Sequence, residues 1–151
     1  MRLTQLTDYA MRVLSHLAQQ PDRVCTIAEV AARYGVSEAH LMKVTHRLGR
    51  AGWIATTRGK GGGMRPARSP QEIRIGALVR SMEPDFFIVE CFSAGSTCSL
   101  TGSCRLTGVM DGALRQLIEH LDRRTLADLL PPPVGAAPQV VEFGRPARAA
   151  A

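Results

Sequence analysis

Three observations predict a mainly α fold with a small β wing, a winged helix-turn-helix domain followed by a long dimerisation helix. Two short amphipathic segments flank a glycine-containing turn at Gly35. The stretch WIATTRGKGGGMRPARS places strand-like residues on either side of a glycine run. Residues 106–121 then carry the strongest helical stripe in the chain, wider than a small winged helix needs for itself. At 151 residues the chain can bury one ordinary core, which excludes a large two-domain enzyme, and it carries no fixed-period repeat.

The elements follow in order. Leu6, Ala10, Val13, Leu14 and Leu17 recur at helical spacing, with Thr7 as the expected N-cap and Asp8 in the first turn. Thr26 and Glu29 have the spacing of a capping box, and the helix they open stops at Tyr34-Gly35. Ser37 caps the next helix, whose stripe is Leu41, Val44 and Leu48 and whose end is Ala51-Gly52. Trp53 to Thr57 forms the outgoing strand of a hairpin and Met64 begins the return. Ser69-Pro70-Gln71-Glu72 repeats helix-start chemistry, Ile73-Arg74-Ile75 looks extended, and a short helix runs from Gly76 to about Met82 before Glu83-Pro84 ends it. These boundaries divide the chain into a winged helix-turn-helix domain (1–80), a cysteine loop (81–105), a dimerisation helix with a C-terminal turn (106–130) and a flexible Pro/Gly/Ala-rich tail (131–151).

Charge is divided between the two halves. The whole chain carries +6, yet residues 1–80 hold 13 basic and 5 acidic side chains while residues 81–151 hold 6 and 8. Between Lys43 and Arg68 there are seven basic residues and no acidic one, a run that is either a solvated face or a seat for a polyanion. The helix-turn-helix pattern favours double-stranded DNA, because its second helix lies in the major groove. Ser37, Glu38, Ala39, His40 and Lys43 then face the groove: Glu38 can accept from a cytosine amino group and Lys43 can reach guanine or phosphate. Each has an ordinary alternative, a cap for Ser37, helix-dipole compensation for Glu38 and a solvated ring for His40. Arg58 and Lys60 stand at the hairpin tip, suited to a narrow minor groove, and the lysine does not belong to a phosphate-binding loop because GxxxxGK[ST] is absent.

No segment approaches the roughly 20 consecutive apolar residues of a membrane-spanning helix, and the N-terminus lacks a signal peptide's cleavage region, so the expectation is a cytoplasmic protein without a membrane partner. In a reducing compartment clustered cysteines are ligands or redox groups rather than structural disulfides. Cys91, Cys98 and Cys104 fall within fourteen positions, separated by six and five residues. That lacks the paired close hooks of a zinc finger and suits a loop wrapping an iron–sulfur cluster; by spacing alone a zinc site completed by His or Asp, or a thiol switch, also fits. Cys25, in the apolar setting VCTIAEV, reads as a small core residue. Four scattered histidines and no nucleophile–base motif give no support for an enzyme.

The combination of LTDYAMRVL, HRLGRAGWI, RGKGGGMR, EIRIGALVRSMEP, the three-cysteine loop and LADLL resembles a known family, the dimeric winged-helix repressors that carry an iron–sulfur cluster. The resemblance runs from residue 1 to about residue 130 and is strongest to the nitric-oxide-sensing members. It implies a homodimeric, DNA-binding repressor. It further implies a 4Fe-4S cluster, or as the alternative a 2Fe-2S cluster, held by Cys91, Cys98 and Cys104 and by Asp8 of the partner subunit, with nitric oxide as the signal. The cluster-biogenesis members have a histidine three residues after the last cysteine, where this chain has Thr107. The nitric-oxide sensors usually have five residues between the first two cysteines, where this chain has six, which keeps an iron-responsive or general redox-responsive repressor as the alternative.

Overall fold

A computed structural model of the chain describes residues 3–100 and 102–131. The architecture is the expected one, mainly helical with a single two-stranded antiparallel hairpin. The tail beyond Pro131 lies outside the described residues.

Helix α1 (Gln5–Ala18) starts one turn earlier than its apolar pattern indicated. Thr4, not Thr7, is the N-cap, with its hydroxyl accepting from the Thr7 backbone N–H at 3.4 Å. The reason is tertiary: Thr7 is fully buried, and Thr4 is held by donating both its N–H and its hydroxyl to Glu83 Oε1 at 2.9 and 3.1 Å. Helix α2 (Ile27–Tyr34) has the expected capping box, with Glu29 N–H donating to Thr26 Oγ1 at 3.2 Å and Thr26 N–H to Glu29 Oε2 at 3.0 Å. Gly35 ends it at φ +64°, a left-handed conformation in which a side chain would be strained. Helix α3 (Glu38–Arg50) follows at once, capped by Ser37.

Strands β1 (Ile54–Thr57) and β2 (Gly63–Pro66) pair with Ile54 opposite Pro66 and Thr57 opposite Gly63. Cys25 adds a bridge to Met64, exchanging backbone hydrogen bonds of 2.9 and 2.8 Å, so the wing is anchored to the segment before α2. Ser69 to Glu72 forms a turn rather than a helix: Glu72 accepts from the Ser69 N–H and hydroxyl at 3.0 and 2.7 Å, as a cap would. It stops there because Ile73 is fully buried and its carbonyl accepts from Leu126 N–H. Helix α4 (Ile75–Met82) begins one residue before Gly76, and only Arg74 of the expected extended stretch pairs, bridging to Thr125.

A loop with one short 3-10 turn (Glu90–Phe92) leads to helix α5 (Arg105–Asp122) and a final 3-10 turn (Leu126–Leu129). The core gathers Val13, Leu14 and Leu17 of α1, Leu41 and Leu48 of α3, Leu78 and Met82 of α4, and Leu126. Burying each of these larger side chains contributes about 1.5–3 kcal/mol.

The C-terminal end of α5 is clamped to α4. Arg80 donates to both carboxylate oxygens of Asp122 at 3.0 and 2.6 Å, and Arg74 donates to the Asp122 carbonyl at 3.0 Å. Gly76 makes the approach possible, since a Cβ there would run into the Asp122 carboxylate. The hydrogen bonds from Arg80 hold the Asp122 carboxyl below its ordinary value. Because the folded value is the lower one, the stabilisation is present above about pH 4 and is lost as pH falls through the folded value. Wild type is therefore expected to lose denaturant midpoint more steeply than Asp122→Asn between about pH 5 and pH 3. Equal slopes would show that the clamp does not contribute.

Candidate DNA-reading surface and cysteine loop

Helix α3 presents a continuous outer face. Its buried side is Leu41, Val44, Thr45 and Leu48, and Glu38, Ala39, His40 and Lys43 are all exposed, as the sequence indicated. Ser37 and His40 do two jobs: Ser37 Oγ accepts from His40 N–H at 3.3 Å and lies 2.8 Å from His40 Nδ1, so the cap also fixes the imidazole. Arg58 and Lys60 are exposed at the wing tip, where Gly59 and Gly61 have φ of +95° and +78°. The glycine run is required, because a Cβ at Gly62 would collide with the Thr57 carbonyl.

Three exposed residues of the same face escaped the sequence reading: Met42, His46 and Arg50. Together with Glu38 they line one wall of an open cleft of about 930 Å³ whose other wall is the wing, including Thr56 and Gly62. The signal was present in the sequence, since Ala39, Met42, His46 and Arg50 recur at helical spacing opposite the buried stripe. Not every basic residue of the run faces outward. Arg47 Nε donates to the Ser81 carbonyl at 3.3 Å, whereas Arg68 stays exposed with its guanidinium 5.3 Å from the Trp53 ring centroid. Trp53 in turn donates to Ser81 Oγ at 2.8 Å. The contacts of Arg47 and Trp53 with Ser81 hold α3 and the base of the wing on α4.

The cysteine loop lies between α4 and α5. Cys91 is half-buried in the 3-10 turn with its Sγ 3.4 Å from Thr107 Oγ1, which brings it beside the first turn of α5. Cys104 is the N-cap residue of α5 and makes no side-chain cap bond. Cys98 is exposed on the segment between them, its N–H donating to Ser96 Oγ at 3.3 Å. Glu90 Oε1 holds the loop closed by accepting from the Thr97 N–H and hydroxyl at 3.4 and 3.1 Å. Among the described residues, the His/Cys/Asp/Glu group tight enough for a single ion is elsewhere, at His16, Cys25 and Glu29. The three loop thiols form no such tight group among the described residues.

Asp8 sits in the first turn of α1, half-exposed, and pairs with Arg12 one turn on at 3.0 Å. Within one chain it joins no compact ligand group with the loop cysteines among the described residues. Cys25 is fully buried in the core, as expected, and burial raises its thiol's pKa.

A family model described as Rrf2, iron-dependent transcriptional regulator, matches residues 3–132. The chain belongs to the Rrf2 family. Over 132 residues this Rrf2 protein is 46% identical to the HTH-type transcriptional regulator NsrR of Halalkalibacterium halodurans and 45% identical to that of Bacillus subtilis, alignments covering 86% of this chain and 90% of each relative. Among solved structures it is similar to T. potens IscR, with a TM-score of 0.68 and 25% identity over 85% of both chains. It also superposes on CymR, the global cysteine regulator of B. subtilis, with a TM-score of 0.69 and 21% identity over 85% of this chain and 95% of that one, which shows the shared fold. The Rrf2 chain is a winged-helix, DNA-binding transcriptional regulator. No helix among the described residues is long and apolar enough to cross a membrane.

Proposed function

We propose that this Rrf2 regulator is a homodimeric repressor in the cytoplasm whose affinity for an operator is set by a 4Fe-4S cluster that senses nitric oxide. The observation that carries the reading is the position of three thiols on the loop that leads directly into α5, a helix none of whose residues is buried in its own chain. Cys91, Cys98 and Cys104 bind the cluster, and Asp8 of the partner subunit supplies the fourth ligand. When bound, the cluster supplies iron open to attack by nitric oxide, and an oxygen ligand leaves its iron the most exposed to that attack. The protein's contribution is mechanical. Asp8 belongs to α1, which packs on α3 through the core, whereas the thiols belong to the α5 side, so ligation across the dimer ties the spacing of the two α3 helices to the state of the loop. Losing the tie shifts the population away from the spacing that fits two half-sites.

On DNA, Lys43 and the wing-tip Arg58 and Lys60 supply phosphate or groove contacts, while Ser37, Glu38, Ala39 and His40 present the first turn of α3 to base edges. The six-residue spacing between Cys91 and Cys98 favours, as a second reading, an iron-responsive repressor.

One experiment separates the two. Anaerobically purified protein is used to select an operator duplex from a random library, and binding is then measured during nitric-oxide titration and, separately, during iron chelation. Nitric oxide is expected to weaken binding by at least about tenfold, a shift of about 1.4 kcal/mol, at concentrations near the cluster's own. Release by chelator with no response to nitric oxide would establish the iron-responsive reading. Binding unaffected by both would end the cluster-controlled one.

A further inference from the structure

The geometry points to a second metal site, separate from the cysteine loop, in which His16, Cys25 and Glu29 bind a thiophilic divalent cation of the zinc class and clasp α1, α2 and the wing together.

The three donors come from three places: His16 from the last turn of α1, Cys25 from the segment bridged to Met64 of β2, and Glu29 from the first turn of α2. Their ligand atoms all lie within 4.8 Å of one another. One nitrogen, one sulfur and one carboxylate oxygen form a donor set that zinc accepts, and tetrahedral zinc at about 2.0–2.3 Å from each donor needs them about 3.5 Å apart. Rotamer adjustments of about 1 Å close the difference. A second, independent observation marks the place. His16 Nε2 is buried with no hydrogen-bond partner among the described residues, while the ring edge packs against Tyr34 at a centroid distance of 6.2 Å. A buried ring nitrogen left without a partner is costly, and a metal ion would satisfy it.

The protonation states are compatible with such a ligand. Burial, reinforced by Arg23 and Arg33, lowers the His16 pKa and favours the neutral imidazole a metal requires. The hydrogen bonds from Thr26 and Arg23 keep Glu29 ionised. Burial keeps Cys25 as a thiol, so coordination breaks its S–H bond, releases the proton to solvent and donates the sulfur lone pair to the cation. Cys25 thiolate and Glu29 carboxylate then offset the two charges of the ion.

Arg23 opposes it. Its Nη1 lies 3.1 Å from both Glu29 oxygens, in competition with a cation, but its side chain is about half-exposed and a surface ion pair is a weak opponent.

The test uses the full-length chain with Cys91→Ser, Cys98→Ser and Cys104→Ser combined, so that any sulfur-to-metal absorption arises from Cys25, with cobalt(II) as the optical probe and zinc(II) as competitor. Stoichiometric cobalt is expected to give a thiolate charge-transfer band that zinc bleaches, with a rise in thermal midpoint. His16→Gln and Glu29→Gln should each weaken cobalt binding at least about tenfold, the latter while keeping the capping box, which accepts glutamine. Arg23→Ala should tighten it. Absence of the band, or a band of equal strength and affinity in His16→Gln, would overturn the assignment. Neither outcome depends on the iron–sulfur reading, because the loop thiols are absent throughout.

Discussion

Asp8→Ala is expected to yield a protein that is still purified brown under anaerobic conditions but loses its iron faster than wild type by about tenfold or more, and whose operator binding no longer tracks nitric oxide. Serine at Cys91, Cys98 or Cys104 is expected to do more and leave the protein without iron, whereas Cys25→Ser leaves the iron content unchanged. The force of the Asp8 experiment lies in how little else that side chain does. Its partner is Arg12, in an i,i+4 pair with both side chains nearly half-exposed, 48% for Asp8 and 44% for Arg12. Such pairs contribute about 0.3–0.5 kcal/mol, too little to disturb a helix whose opposite face is fully buried. Arg12→Ala is the control. It breaks the same ion pair, and with it the contacts of the Arg12 guanidinium over the Tyr9 and Tyr34 rings, while keeping the carboxylate, so a helix-stabilising role for Asp8 predicts that Arg12→Ala responds at least as strongly and a ligand role predicts that only Asp8→Ala responds. Matching iron-loss rates in wild type, Arg12→Ala and Asp8→Ala would remove Asp8 from the ligand set.

Much of the fold was legible because local chemistry and tertiary packing agree. The Thr26–Glu29 capping box, the Ser37 cap and the left-handed Gly35 each answer a backbone need within a few residues, and each is in place. Where a distant contact decided the outcome, the sequence misled. Thr4 displaced Thr7 as cap because Glu83, far along the chain, holds it, and Ser69–Glu72 formed only a turn because Ile73 is needed in the core. The reading surface was half visible: the first turn of α3 was recognised from the motif, while Met42, His46 and Arg50 emerged with the cleft that the wing makes with the helix. The grouping of His16, Cys25 and Glu29 was hidden for the same reason, since no spacing rule relates residues brought together by the bridge of Cys25 to Met64. The loop cysteines are the opposite case, plain in sequence, and among the described residues they join no compact ligand group with Asp8 of the same chain.

Val109→Glu, alone or with Leu106→Glu, is expected to convert the proposed homodimer into a monomer and to lower operator affinity by on the order of 100-fold, because two half-sites then have to be bound without the effective concentration that linkage provides. Leu106 and Val109 are 58% and 66% exposed, and Phe87 on the neighbouring segment is 56% exposed. Pro84, Phe86, Phe87, Phe92 and Leu114 extend this apolar surface along the flank of α5. Large side chains in that number at one end of an 18-residue helix are what a second copy would cover. Gly108, with open space where its Cβ would stand, lets a partner helix come near. The head domain should be indifferent to the change, since no residue of α5 is buried in its own chain and the helix is fastened at its far end by Arg80 and Asp122. Light scattering therefore has to report half the mass at an unchanged thermal midpoint of the isolated fold, while Lys43→Ala weakens DNA binding at unchanged mass. A Val109→Glu protein that remained dimeric at micromolar concentration would move the proposed twofold contact off α5, and would remove the arrangement by which Asp8 of the partner subunit is proposed to reach the loop.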